Sequence, residues 1–121
     1  MNLKFEDEIK NKDTVYFKLN GELDHYFAPE VKEYLQELVA DNFKNFIIDM
    51  NMVSFIDSTG LGVLAHMAKY IKEENGYIIL ISQKPKITDL IETAGIVDPK
   101  QKHIALVKTQ EEAENFIYEL R

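Results

Sequence analysis

The string Asp57-Ser58-Thr59-Gly60-Leu61-Gly62 places a carboxylate, two hydroxyls and two glycines within six residues. Three chemistries suit such residues: nucleophilic catalysis, phosphate binding and helix capping. A nucleophile elbow needs a glycine two places before its serine, and Ile56 stands there instead. A phosphate loop needs glycines followed by Lys-Ser or Lys-Thr, which the chain lacks, and no dinucleotide fingerprint follows a strand. Capping fits, because Asp57 or Ser58 is placed to accept from the free N–H groups that open a helix. Gly60 and Gly62 suit capping less well, since a glycine in a helix interior is roughly 1 kcal/mol worse than alanine. Bare backbone there would let another molecule come close. Both readings of the string stay open on the residues alone.

Little else in the chain suggests catalysis. His25, His66 and His103 lie far apart and share no metal-ligand spacing with carboxylates, so each reads as a surface or edge residue. Glu73-Glu74 and Glu111-Glu112 read as solvated helix faces. No catalytic residue, metal or cofactor is expected. An enzyme using Ser58 with a histidine base is the weakest functional class, because no histidine has a defined position for it.

The elements that must position the string follow from periodicity. Strands are predicted near Leu3 to Ile9 and Thr14 to Leu19, joined as a hairpin through Lys10-Asn11-Lys12-Asp13. A first helix is predicted from Pro29 to Ala40, with Ala28, Val31, Leu35, Leu38 and Val39 on its apolar face. Phe46-Ile47-Ile48 and Tyr77 to Ile81 are apolar without alternation, the pattern of strands covered on both faces. Between them a helix from Ser58 to Glu74 carries Leu61, Leu64, Ala68 and Ile71, and Asn75-Gly76 stops it. A third helix from Pro85 to Ala94 turns Ile87, Leu90, Ile91 and Ala94 inward and ends at Gly95. His103 to Val107 is a fifth strand. The spacing of Thr109 and Glu112 caps a last helix faced by Ala113, Phe116, Ile117 and Leu120. A hairpin followed by alternating helices and doubly apolar strands predicts an α/β fold. Its mixed sheet has four to five strands, an N-terminal hairpin, parallel inner strands and about four helices. There is no linker or repeat, so one domain over residues 1–121 is expected.

Composition narrows the function classes. Over 121 residues, 45% are hydrophobic and 29% charged, the globular range. Fourteen basic residues against 21 acidic give a net charge of -7, which argues against direct nucleic-acid binding. The absence of cysteine excludes disulfides and thiolate chemistry. Arg121 is the only arginine, so the body of the chain has no bidentate phosphate clamp. The acidic N-terminal residues do not form a signal peptide, and the apolar runs fall short of the ~20 residues that span a bilayer. No membrane insertion and a cytoplasmic location are expected.

With Gly21-Glu22-Leu23-Asp24 after an earlier strand and Thr93-Ala94-Gly95-Ile96 ending the third helix, the Asp57 to Gly62 string resembles the STAS domain family. More narrowly, it is similar to the bacterial anti-sigma factor antagonists, from about residue 3 to residue 110. The resemblance implies a partner-switching regulator of transcription. Ser58 would be the phosphoacceptor, with Thr59 a secondary candidate. The kinase would be the anti-sigma factor itself, of GHKL type, and a PP2C-type metal-dependent serine phosphatase would reverse the modification. The unphosphorylated antagonist would capture the anti-sigma factor and free a sigma factor, in stress response or sporulation. Asp24, Asp57, Ser58, Thr59, Gly60, Leu61 and Gly62 would form the docking surface. Phe27 departs from the small or hydroxylated residue that many members carry. The alternative within the resemblance is a STAS module of a stress-signalling scaffold, or a cytosolic accessory subunit of a lipid or anion transporter.

A phosphate on Ser58 would gain roughly 0.3–1 kcal/mol from the helix dipole. It would lose about as much to neighbouring acids, since a like-charge pair costs roughly 1 kcal/mol at about 4 Å in water. Inverting a two-state population takes roughly 5.5 kcal/mol. The switch is therefore expected to act locally, at the contact surface. Leu61 stands between two readings, as part of that surface or of the core stripe.

Overall fold

The structure is a computed structural model and describes residues 3–120. Its elements run β1 (Lys4–Asn11), β2 (Thr14–Leu23), α1 (Ala28–Ala40), β3 (Asn45–Ile56), α2 (Ser58–Glu73), β4 (Ile78–Ile81), α3 (Pro85–Thr93), β5 (Ile104–Val107) and α4 (Gln110–Leu120). Among the described residues they make one five-stranded sheet in the order β1-β2-β3-β4-β5. Only β1 and β2 are antiparallel; every other pairing is parallel. This is the α/β mixed sheet that the sequence pattern predicts.

Each doubly apolar strand divides its residues between two cores. Phe46 and Ile48 of β3, with Ile78 and Leu80 of β4, face the larger core under α1, α2 and α3. Ile47, Ile79 and Ile81 face the other way, into a smaller core closed by Ala113 of α4. Parallel neighbours in sequence order require crossovers of one hand, which is why α1, α2 and α3 share a face. None of the described helices is long and apolar enough to cross a membrane.

The helix faces depart from expectation in a few places. In α2 the buried residues include Leu64, Met67, Ala68 and Ile71, so Met67 joins the stripe while Leu61 is half-buried at the core margin. In α3 only Ile87 and Ile91 are buried; Leu90 is 40% exposed and Ala94 is exposed. This nine-residue helix offers the sheet a narrow i, i+4 contact, and residues flanking that line are left outside. Leu120 of α4 is likewise exposed, while Ala113 is buried and Phe116 and Ile117 pack beside it. The Thr109 cap forms, its Oγ1 accepting from the Glu112 N–H at 3.1 Å. Glu112 Oε2 reaches back to the Lys108 N–H at 3.1 Å, one residue before the expected partner.

Two strands are longer than their apolar runs, and this builds the site. β2 continues past Leu19 to Leu23, so Gly21-Glu22-Leu23 lies within the strand and only Asp24 enters the turn. β3 runs twelve residues rather than three. Its register against β2 slips twice, between Lys18 and Asn20 and between Gly21 and Glu22. Each slip inserts an extra residue on β3, so the buried positions Met50, Val53 and Ile56 recur every third residue. That spacing hides the strand from a search for alternation. Side chains hold the bulged segment in place. Asn51 Oδ1 accepts from the Gln83 N–H at 2.7 Å, and Lys84 Nζ donates to the Val53 carbonyl at 3.1 Å.

Candidate functional site

Two strand ends and two helix starts converge at one end of the sheet. Leu23 pairs with Ile56 at the last step of the β2–β3 register, so Asp24 and Asp57 are each the next residue out. α1 and α2 both begin here, their N-termini beside these two acids.

Asp57 ties the segments together. Its Oδ1 accepts from the Gly60 N–H at 2.9 Å, which caps α2. Its Oδ2 accepts from the His25 N–H at 2.9 Å, which anchors the turn after β2. Its own N–H donates to the Leu23 carbonyl at 3.3 Å. One carboxylate therefore clamps the two loops together. The backbone hydrogen bond from Gly60 foremost, then those from His25 and Thr59, holds the carboxyl below the usual carboxylate range against the opposing effect of desolvation.

Asp24 is engaged in a similar way. Its Oδ1 accepts from the N–H groups of Tyr26 (3.0 Å) and Phe27 (3.1 Å), and its carbonyl accepts from Ala28 at 2.7 Å. Asp24 thus closes the turn that starts α1, at whose N-cap Phe27 offers no side-chain hydrogen bond. The Phe27 ring is half-buried and packs against the core.

The hydroxyls behave differently from the acids. Ser58 and Thr59 are exposed at the first two positions of α2, and no hydrogen bond within the described residues engages the Ser58 hydroxyl. The two glycines also part company. Gly60 is buried, and a Cβ there would lie 2.2 Å from the Leu23 carbonyl oxygen. Its bareness serves the packing of α2 on β2 within the chain, which corrects the reading of both glycines as openings for another molecule. Gly62 is exposed, with open space where its Cβ would stand.

His25 does reach the site. Its Nδ1 lies 3.7 Å from Asp57 Oδ2, beyond hydrogen-bond distance, and its ring packs 4.4 Å from that of Tyr26. His66 is on the exposed side of α2, and His103 precedes β5 at the opposite end of the sheet. Among the described residues no group of three or more His, Asp or Glu side chains is placed to hold a metal ion.

Sequence reasoning missed the exposed apolar residues flanking the site. Tyr26 is 74% exposed, and Phe55 and Met52 are 48% exposed. Phe55 is assigned to no element by the sequence pattern. The second bulge turns it outward, and no local signal reports a bulge.

The STAS domain family matches residues 5–113, which include every residue of this site. The chain belongs to the STAS domain family. Anti-sigma-B factor antagonists are among the similar relatives of this STAS domain. That of Listeria monocytogenes is 32% identical over 98 residues, covering 81% of this chain and 86% of the relative. That of Staphylococcus aureus is 31% identical, covering 81% and 90%. Solved structures with the same fold include the anti-sigma factor antagonist SpoIIAA in its unphosphorylated form (TM-score 0.70, 21% identity, 97% and 98% of the two chains). The phosphorylated form of the Bacillus SpoIIAA gives a TM-score of 0.70 at 21% identity, covering 96% and 99%. An anti-sigma factor antagonist from Mycobacterium paratuberculosis gives 0.79 at 22% identity, covering 97% and 95%.

The clamp in this STAS domain has a measurable consequence. Asp57→Ala is expected to lower stability by about 1–2 kcal/mol at neutral pH, since it removes the cap and frees the His25 turn. Because the folded carboxyl titrates below its unfolded value, its contribution is complete above the ordinary carboxylate range and fades as pH falls through the folded pKa. The stability gap between wild type and Asp57→Asn, followed by urea unfolding, should therefore stay constant above pH ~5 and narrow below pH ~4. A gap independent of pH down to acid unfolding would contradict the clamp.

Proposed function

We propose that this chain is an anti-sigma factor antagonist whose binding is switched off by phosphorylation of Ser58. In its unphosphorylated form it captures an anti-sigma factor that is also a GHKL-type serine kinase, so that a sigma factor goes free in the cytoplasm. A PP2C-type phosphatase restores it. The observation that carries this reading is the division of labour at the head of α2. Both carboxylates, Asp24 and Asp57, are occupied with backbone N–H groups, while the Ser58 hydroxyl is exposed and unengaged. A kinase can reach it without unfolding anything, and Thr59 beside it is the secondary acceptor. The names of the relatives support the same role.

The docking surface is proposed to centre on Ser58, Thr59 and the bare backbone at Gly62, with the exposed rings of Tyr26 and Phe55 supplying apolar area. Aromatic anchors surrounded by polar groups are the usual source of interface energy. Asp24, Asp57 and Gly60 shape this surface from beneath, and Leu61 contributes through its half-buried position. The equal likeness to SpoIIAA in its two phosphorylation states agrees with a switch that leaves the fold in place.

The direct test is incubation with the candidate kinase and ATP, followed by peptide mapping in a mass spectrometer. Phosphate is expected on Ser58, with Thr59 as a minor product and none on the Ser58→Ala protein at that position. Stoichiometric phosphate on a distant residue, with Ser58 unmodified, would remove the basis of the proposal.

A further inference from the structure

The head of α2 is poor in positive charge. No lysine or arginine occurs in residues 19–31 or 45–68, the two stretches that supply the end of β2, the turn into α1, all of β3 and most of α2. The basic side chains in them are His25 and His66, and His66 stands on the exposed side of α2, about two turns on from Ser58. Lys84, at the start of α3, is taken elsewhere, its ammonium donating to the Val53 carbonyl at 3.1 Å. Lys32 lies in the second turn of α1. Acids are plentiful, with Glu22 on β2, Asp24 in the turn, Glu30 in the first turn of α1 and Asp57 at the cap of α2.

His25 has a fixed backbone and a ring without a hydrogen bond. Its N–H donates to Asp57 Oδ2 at 2.9 Å, which ties the residue to the carboxylate that precedes Ser58 in the chain. Its Nδ1 stops 3.7 Å from that same oxygen, and the side chain is 66% exposed. Consecutive Cα atoms are about 3.8 Å apart, so the ring stands one residue's step from the acceptor hydroxyl. The Tyr26 ring, with its centroid 4.4 Å away, is an aromatic neighbour of the kind that favours a cation. A phosphate needs donors, and the helix start has few to spare. Asp57 already accepts from the Gly60 N–H at 2.9 Å through its side chain and from the Leu61 N–H at 3.0 Å through its carbonyl.

Resting on the reading of Ser58 as the phosphoacceptor, we propose that His25 is the positioning residue of the phosphorylated site: its imidazolium pairs with a phosphate on Ser58 and holds it against the head of α2. The phosphate brings a charge of about −1.5 to −2 beside Asp57 and Asp24, whose carboxylates repel it, and His25 is the cation that the turn supplies in answer. An imidazolium–phosphate contact is a charge-assisted hydrogen bond, and it needs no arginine. Imidazole changes charge over the same pH range in which a phosphate monoester gains its second proton. The pair therefore makes the charge of the phosphorylated site responsive to pH near neutrality.

The test uses the full chain with phosphoserine genetically encoded at position 58, and follows the phosphorus resonance through its second ionisation, ordinarily near pH ~6. A paired cation favours the dianion, so removing it raises the midpoint. His25→Gln, which keeps the backbone N–H, is expected to raise the phosphate midpoint by about 0.5 pH unit, roughly a threefold gain in proton affinity. His25→Lys should hold the midpoint near that of the wild-type side chain, and His66→Gln should leave it unchanged. In concentrated urea the phosphorylated chain and its His25→Gln variant should titrate together, because His25 and Ser58 are brought close only by the fold. Both histidine side chains are exposed, so equal melting temperatures will show that the variants keep the fold. Equal midpoints with and without His25, equal displacements in His25→Gln and His66→Gln, or a difference that persists in urea would each overturn the proposal. Because the phosphate is encoded, a kinase that leaves Ser58 unmodified would count against the switch and not against the pair.

Discussion

Ser58→Asp is expected to bind the anti-sigma factor at least a hundredfold more weakly than the wild-type chain. Ser58→Ala should bind it at wild-type strength and stay bound in the presence of ATP. The reasoning rests on where the charge falls. At the first position of α2 an added carboxylate gains roughly 0.3–1 kcal/mol from the helix dipole and loses about as much to the neighbouring Asp57, so the fold of Ser58→Asp is expected to be about as stable as wild type. Neither Asp57 nor Asp24 has a spare role that would absorb a new neighbour, since both accept backbone hydrogen bonds. At the interface the balance is different. A charge misplaced against a partner costs several kcal/mol, and about 2.8 kcal/mol already amounts to a hundredfold. Calorimetric titration of both variants, with thermal unfolding in parallel, separates the two effects. Equal affinities would end the phosphoswitch reading. A large drop in the melting temperature of Ser58→Asp would mean that the charge acts on the fold instead.

The second large effect concerns the two glycines, which the structure treats as opposites. At Gly60 a methyl group would meet the Leu23 carbonyl oxygen at 2.2 Å and Leu23 Cγ at 2.9 Å. A backbone carbonyl paired into the Asp57 N–H has nowhere to go, so α2 must lift from β2. Overpacking of this kind costs about 1–3 kcal/mol, and the upper end is expected here, a fall in melting temperature of roughly 10 °C. At Gly62 a methyl group meets open space. There Gly62→Ala should gain up to about 1 kcal/mol from helix propensity and melt a few degrees higher. If partner binding by Gly62→Ala also falls, the bare backbone belongs to the dock. Thermal unfolding of the pair decides the structural claim, and similar shifts in the same direction would refute it.

The bulged strand β3 shows why part of the site was not legible in the sequence. Phe46-Ile47-Ile48 announces a strand because three apolar residues need both faces covered. Across the remaining eight residues to Ile56 the buried positions, Met50, Val53 and Ile56, recur every third residue, which matches neither strand nor helix. Only pairing with β2 turns that period into a strand, by leaving an extra residue at each bulge. Tyr26 and Phe55 are exposed for related reasons, set by the turn at Asp24 and by the second bulge.

Local order in the chain was enough for some conclusions. Periodicity and caps determine the element types, the doubly covered strands and the start of α2 after Asp57, because each depends on residues within a few positions of one another, while the candidacy of Ser58 came from the family resemblance of the string around it. Tertiary structure decided what those residues do for one another. Asp57 became the clamp on the His25 turn, Asp24 the closure of the start of α1, and Gly60 a packing contact with Leu23. These roles depend on β2 and β3 ending side by side. That pairing joins residues 33 apart in sequence, Leu23 and Ile56, and is set by the packing of the whole sheet.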